Sequence, residues 1–436
     1  MLNIKKISST DKNFPETLQK YIFQRKVSTS EIKDIVQSII EEVKINGDKA
    51  IIKFSKEFDN FSVKNVSELE VSKEDIISSL DKITKEELEA LKFAKHRIEE
   101  FCKKQKLESW SYISDEIKLG EKITAIEKVG IYVPGGSAVY PSSVLMNSIP
   151  AKVAGVNEIV MVVPSPNGKV NNLVLAAAHL GGVHRVFQIG GAQAVAALAF
   201  GTATIPKVNK IVGPGNQYVA QAKKELYGEV GIDNFAGPSE ILVIADSSAN
   251  ISWLAADLFA QAEHDEMAQS ILISPDKELL KKLENYMADK LSNIRRKEII
   301  QSSLNNFGIL INAKNIDDAI NISNELAPEH LQLSFENSDK YLDKINNAGA
   351  IFVGEYSPEV FGDYCVGSNH VLPTVGTAKF SSPLGVYDFQ KRSSVIQCSK
   401  KSATLLSKHA TILANAEGLF SHKDSASLRN NKGKIK

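Results

Sequence analysis

"RVFQIGGAQAVAALAFG", residues 185–201, decides how this chain folds. A short apolar run ends in paired glycines, and a small-residue apolar stretch follows and closes on Gly201. That is a strand, a glycine turn and a helix, the unit from which parallel α/β sheets are built. The same unit stands on either side of it. Upstream, "EIVMVVP" leads into "NNLVLAAAHLGG"; downstream, "VNKIVGPG" leads into "NQYVAQAKKELYG".

The rhythm continues through "EILVIAD" with "ISWLAADLFAQAEH", "SILIS" with "KELLKKLENYMADKL", and "FGILIN" with "NIDDAINISNEL". It closes on "GAIFVG" near residue 353. One sheet does not need that many βα units. The expected fold class is α/β: two doubly wound, incomplete Rossmann-like domains with a cleft between them, a helical N-terminal segment and a C-terminal helical tail. The boundaries read as an arm over 1–25 and a helical segment over 26–128 that packs with the second α/β domain. The two α/β domains follow over 129–239 and 240–380, and the tail over 381–436.

Outside the α/β core, "STSEIKDIVQSIIEEVKINGDKAIIKFSKEFD" carries a capping Ser or Thr, apolar positions at 3–4 spacing and Gly47 as a stop signal. A chain of 436 residues exceeds one ordinary core. With 43% hydrophobic and 24% charged residues it has the composition of a globular protein. Its 52 basic and 52 acidic residues cancel, which argues against a nucleic-acid or anionic-membrane partner. No run approaches the ~18 apolar residues of a membrane span, and "MLNIKKISST" lacks a signal-peptide core. Cys102, Cys365 and Cys398 are scattered, which fits a reducing compartment and a cytoplasmic location.

Five stretches carry candidate chemistry. The glycine turns in "GIYVPGGSAVYPSS", "IGGAQAVAALAFG" and "VGPGNQYVAQAKK" could hold a phosphate at helix starts, although none spells GxGxxG and tight turns need glycine anyway. In "QAEHDEMAQS" (261–270), Gln261 and His264 extend the apolar helix face of Leu254 and Leu258. Such a pair is more often a satisfied polar network than a metal site.

In "NELAPEHLQLSF", Pro328 disfavours a right-handed helical Ala327, and Glu329 and His330 open a strand, where βα cleft residues belong, facing opposite sides. In "VFGDYCVGSNHVLPT", Asp363, Asn369 and His370 crowd one polar loop; in "ANAEGLFSHKDS", Glu417 and His422 lie five apart. Asp and His suit zinc or acid–base chemistry, but each stretch alone also reads as ordinary polar surface.

Taken together the motifs are specific. "YVPGGSAVYPSSVLM", "IGGAQAVAALAFG", "KIVGPGNQYVAQAK", "AGPSEILVIAD", "QAEHD", "LAPEHLQL", "GDYCVGSNHVLPT" and "AEGLFSHKDSASLR" occur in order over residues 130–429. In these the chain resembles the histidinol dehydrogenase family. The resemblance implies a four-electron oxidation of L-histidinol to L-histidine, through L-histidinaldehyde, with two NAD+ and one zinc per site. It implies zinc on Gln261, His264, Asp363 and His422, which also border the substrate. His330 would be the general base and Glu329 would activate water. Ser239, His370 and Glu417 would contact substrate along with His330, and Tyr132, Gln193 and Asn216 would contact NAD. The family is a homodimer whose tail completes the neighbouring site with Glu417 and His422. Cys365 has no role in that pattern and is expected to be buried and inert; His96, His179, His184 and His409 match no motif.

Three other readings make different demands. A paralogue with the same machinery would oxidise another small alcohol, such as a sulfonated one, in place of histidinol. A zinc hydrolase would work without NAD+ and leave the glycine turns unexplained. A non-catalytic binding protein would keep its ligand when His264 is removed.

Overall fold

A computed structural model describes residues 2–23, 30–135, 139–234 and 237–430. The expected boundary at 25/26 and residues 136–138 of the first glycine turn lie outside them. In chain order, β1 (Lys5–Ser8) comes first, and the helices Ser30–Asn46 and Asp48–Phe58 meet at Gly47, whose φ is 51°. The long helix Lys85–Gln105 leads to β2 (Trp110–Ser114) and β3 (Ile117–Ala125). Two runs of βα units follow. The first holds β4 (Lys128–Tyr132), β5 (Glu158–Val162), β6 (Arg185–Phe187), β7 (Lys210–Val212) and β8 (Gly231–Ile232). The second holds β9 (Glu240–Ala245), β10 (Gln269–Ser274), β11 (Ile309–Asn312), β12 (His330–Ser334) and β13 (Ala350–Val353), and β14 (Gln390–Cys398) precedes the last helices.

The chain divides into a large unit, residues 1–105 and 126–388, and a small one, residues 106–125 and 389–436. In the large unit both sheets are wholly parallel. The first is ordered β6-β5-β4-β7-β8 and the second β1-β11-β10-β9-β12-β13. Apart from β1, both have the doubly wound order that starts in the middle, runs to one edge and then reverses. Each therefore has a switch point, between β4 and β7 in one and between β9 and β12 in the other.

Both faces of the second sheet are buried, which explains the unbroken apolar runs of its strands. Ile241, Val243 and Leu272 join one core cluster; their neighbours Leu242, Ile244, Ile271 and Ile273 join the cluster on the opposite face.

Three segments differ from the sequence expectation. The helical lead packs on the first sheet, not the second. Val36, Ile39, Val43 and Phe54 share a cluster with Val160, Phe187, Val195 and Leu198. The reason is the alanine-rich helix Gly191–Phe200: its short side chains leave room that the larger residues of the lead fill. Residues 110–125 are strand rather than helix. Asp115 and Glu116, at φ 51° and 60°, form a two-residue turn whose twist suits a hairpin, and β3 also pairs antiparallel with β14. The tail thus opens as a strand in the small unit. Finally, the N-terminal arm contributes β1 to the second sheet, beside β11.

Candidate active site

The first sheet brings the three glycine turns to one place. Tyr132 ends β4 and is buried; its hydroxyl accepts the Gly191 N–H at 3.0 Å, and burial pushes its pKa up to about 12. A Cβ on Gly213 would lie 2.2 Å from the Tyr132 carbonyl, and Gly213 sits at φ 109°. Only glycine fits such a position. Gln193 is buried in the helix that Gly191 opens, and its side chain lies against Gly191. Asn216 caps the helix Gln217–Leu226, accepting the N–H groups of Tyr218 and Val219, both at 3.1 Å. Its Oδ1 is thus a cap, and its amide N–H groups are what it can offer a ligand. The third turn is clamped on both sides. Asp233 accepts the Gly213 N–H at 2.7 Å, Lys223 donates to the Gly213 carbonyl at 3.0 Å, and the two buried side chains pair with each other.

These residues stand at the carboxyl ends of β4, β6 and β7, where open α/β sheets hold ligands. The second sheet reverses the rule. Ser239 precedes β9, which Glu240 begins, and Glu329 precedes β12, which His330 begins, so these candidate residues stand at the amino edge of the switch point. The chain reaches it through Ala327, which ends the helix Ile316–Leu326 in the left-handed region at φ 51°, before Pro328.

His330 is oriented by Glu240. A carbonyl can only accept, so Nδ1 donates to the Glu240 oxygen at 2.8 Å and Nε2 keeps its lone pair. Nε2 faces Asp363 Oδ1 at 3.7 Å. Burial lowers the His330 pKa, Asp363 and the Glu240 carbonyl oppose that shift, and the charges of His264 and His370 add to it. The ring is neutral near pH 7 and able to take a proton.

Glu329 does not face away from it, as strand alternation suggested. Its Oε2 accepts the Glu240 N–H at 2.8 Å and lies 3.7 Å from His330 Nδ1. Both side chains reach the same residue of β9, Glu329 its N–H and His330 its carbonyl, because Glu329 precedes the strand and is not bound to its pleat.

His370 is half-buried at the side of this group. Its Nδ1 donates to the Asp363 carbonyl at 2.9 Å, and its Nε2 lies 3.3 Å from Ser143 Oγ. Burial lowers its pKa too, against the pull of Asp363. Ser143 belongs to the helix Pro141–Ala154 after β4, so the two sheets meet here.

Gln261 and His264 do not share a helix face. The helix Ile251–Ala262 ends before His264, which is exposed, while Gln261 is 1% exposed. Both amide atoms of Gln261 are buried without a hydrogen-bond partner. Cys365, half-buried and not fully buried as expected, follows the short helix Glu359–Tyr364. Glu417 and His422 are exposed residues of the small unit, at the end of the helix Lys400–Ala416 and within the helix Phe420–Ser427.

Glu359 was missed. It is buried, four residues before Asp363 on one helix turn, with Oε1 3.4 Å from His330 Nδ1. Among the described residues, His330, Glu359 and Asp363 form a group close enough to hold a metal ion. Burial raises the Glu359 carboxyl well above the usual range, and Asp363, Glu329 and Asp257 add to it. Behind it, Gln332 donates to Asp257 at 2.7 Å and its oxygen faces the Glu359 N–H at 3.3 Å. The i,i+4 spacing of Glu359 and Asp363 was the available signal.

Comparison with known proteins identifies the family that the chain is similar to. The family model described as histidinol dehydrogenase matches residues 23–430. The chain is 51% identical over 430 residues to the histidinol dehydrogenase of Nitrosomonas europaea, covering 98% of this chain and 100% of the relative. It is 51% identical over 427 residues to that of Pseudomonas fluorescens, covering 98% and 97%. The crystal structure of histidinol dehydrogenase from Elizabethkingia anophelis superposes with a TM-score of 0.92 at 36% identity, covering 98% of each chain.

Proposed function

The chain belongs to the histidinol dehydrogenase family, and from that premise we propose that it oxidises L-histidinol to L-histidine through L-histidinaldehyde, reducing two NAD+ at a zinc-requiring site. The observation that carries the reading is the fixed tautomer of His330. Nδ1 is committed to the Glu240 carbonyl, so Nε2 is the atom that takes the alcohol proton as hydride leaves the carbinol carbon for the nicotinamide. Burial keeps that nitrogen unprotonated at neutral pH.

The second oxidation needs water added to the aldehyde. Glu329 is the group for this: the Glu240 N–H holds its carboxylate beside His330, and a carboxylate so placed takes the proton of an attacking water. Once His330 has released the first proton to solvent, the hydrate anion left when Glu329 takes the water proton loses a second hydride to a second NAD+ and its hydroxyl proton to His330, giving the carboxylate. Ser239 and His370 border the substrate. Tyr132, Gln193 and Asn216 line the dinucleotide path at the first sheet's switch point.

The residues fit a zinc ion. Gln261, His264, Asp363 and His422 offer N and O donors in number for a four-coordinate site. The buried, unpaired amide of Gln261 is the expected state of a ligand whose partner is a cation. When bound, zinc supplies the positive charge that anchors the amino and imidazole nitrogens of the substrate. His422, with Glu417, comes from the neighbouring subunit of a homodimer in this reading.

Metal analysis combined with NADH production from histidinol tests the whole. Turnover of another alcohol but not of histidinol would move the chain to a paralogous activity. His330→Ala is expected to retain zinc and lose about 10²–10⁴-fold in turnover; near-normal turnover removes the base assignment.

A further inference from the structure

Asp59 takes no part in the chemistry described so far, yet it is an unusual carboxylate. It follows the helix Asp48–Phe58, is 7% exposed, and its Oδ2 is buried without a hydrogen-bond partner. Its main chain is what fixes it: the carbonyl accepts the Asn167 N–H at 3.0 Å, in the loop after β5. No neighbouring cation offsets the burial, which alone pushes the carboxyl up to about 6.

Asp59 also stands at the rim of the first sheet. The loop it bonds to carries Pro164, which a Cβ on Gly190 would meet at 2.3 Å, and Gly190 caps the ten-residue helix Gly191–Phe200, whose first N–H is held by the Tyr132 hydroxyl. Gln188 lies between β6 and that helix, and its Oε1 is a second buried acceptor without a donor. The rim of the first sheet thus offers acceptors that lack donors next to a helix N-terminus.

A ligand suited to that rim brings hydroxyl groups. The two oxygens of a carboxylate match the neighbouring hydroxyls of a ribose, as acidic residues do in other dinucleotide sites. A phosphate monoester in the same place would meet a buried negative charge. The nicotinamide end must reach His330 on the second sheet, so the sugar at this rim is the adenosine ribose.

We propose that Asp59 is a specificity residue: it receives the hydroxyls of the adenosine ribose and selects NAD+ over NADP+. This rests on the cofactor reading given above. Calorimetric titration of wild type and Asp59→Asn with NAD+ and NADP+ tests it, with the melting temperature of each recorded. The expected result is NAD+ binding about ten-fold weaker in the variant and NADP+ binding no weaker. An unchanged NAD+/NADP+ ratio in a folded variant overturns the proposal.

A second measurement needs no variant. Wild type is expected to bind NAD+ lacking the adenosine 2′-hydroxyl about ten-fold more weakly than NAD+; equal affinity overturns the proposal and leaves the cofactor reading standing. A wild-type protein that binds neither dinucleotide overturns both.

Discussion

At the scale of single residues, the most informative groups are the unsatisfied ones. A buried polar group without a partner costs about 1–3 kcal/mol, and Gln261 carries two such atoms. Gln261→Leu keeps the shape and removes the penalty. In the zinc-free protein it is expected to raise the melting temperature, and the further rise on adding zinc should shrink. A variant with an undiminished zinc-induced shift would exclude Gln261 as a ligand.

Asp59 makes a related prediction through pH. Its folded pKa of about 6 lies above the ordinary 3.8, so its contribution is fully favourable below 3.8 and is lost as pH rises through 6. Above pH 6 the charged form costs at most about 3 kcal/mol. Asp59→Asn is therefore expected to be more stable than wild type at pH 8 and indistinguishable at pH 3.5, as read by urea midpoints. Equal midpoints at pH 8 would show that the carboxylate is not strained by burial.

At the scale of elements, the turn at Gly213 depends on a buried ion pair. Removing one partner of such a pair leaves the other charge uncompensated. Asp233→Asn is expected to cost about 3 kcal/mol in urea unfolding, because Lys223 keeps its charge and loses its counter-ion, retaining only the neutral Gly213 carbonyl, while the Gly213 N–H keeps only a neutral acceptor. A loss below 0.5 kcal/mol, roughly the surface-pair range, would mean the pair is not buried in solution.

This is also the scale at which sequence and structure part company. The βα units were legible because a strand buried on both faces must read as an apolar run, and a tight turn into a helix needs glycine. The residue types around His330 were legible through their motifs. Glu359 was not, because a lone glutamate in "SPEVFGDY" looks like any first-turn acid until the helix lays it against His330. Nor did periodicity say which sheet the helical lead covers. That depends on the small side chains of Gly191–Phe200, about 140 residues away. The strand character of 110–125 was missed because β14, which pairs with β3, is more remote still: Gln390 lies opposite Ala125.

At the scale of the whole molecule, two sheets of the same winding carry their candidate residues at opposite edges, one at its carboxyl ends and the other at its amino ends. The second sheet also recruits β1 across nearly the full chain. Ser8 bonds to Asn312, 304 residues away, and Ile4 is buried in the same cluster as Leu272 and Leu310. Removing residues 1–9 would bare the edge of β11, and exposed parallel edges invite pairing with other chains. The truncated protein is expected to scatter light on concentration where the full chain stays clear; equal solubility would show that β1 is dispensable.

That pairing sets an order of events during synthesis. At ribosomal rates of about 5–20 residues per second, β1 leaves the tunnel some 15–60 seconds before β11 exists. The first sheet, whose five strands lie within residues 128–232, is complete well before then. A nascent chain therefore carries a finished first sheet while its opening strand waits, unpaired, for a partner still to be translated.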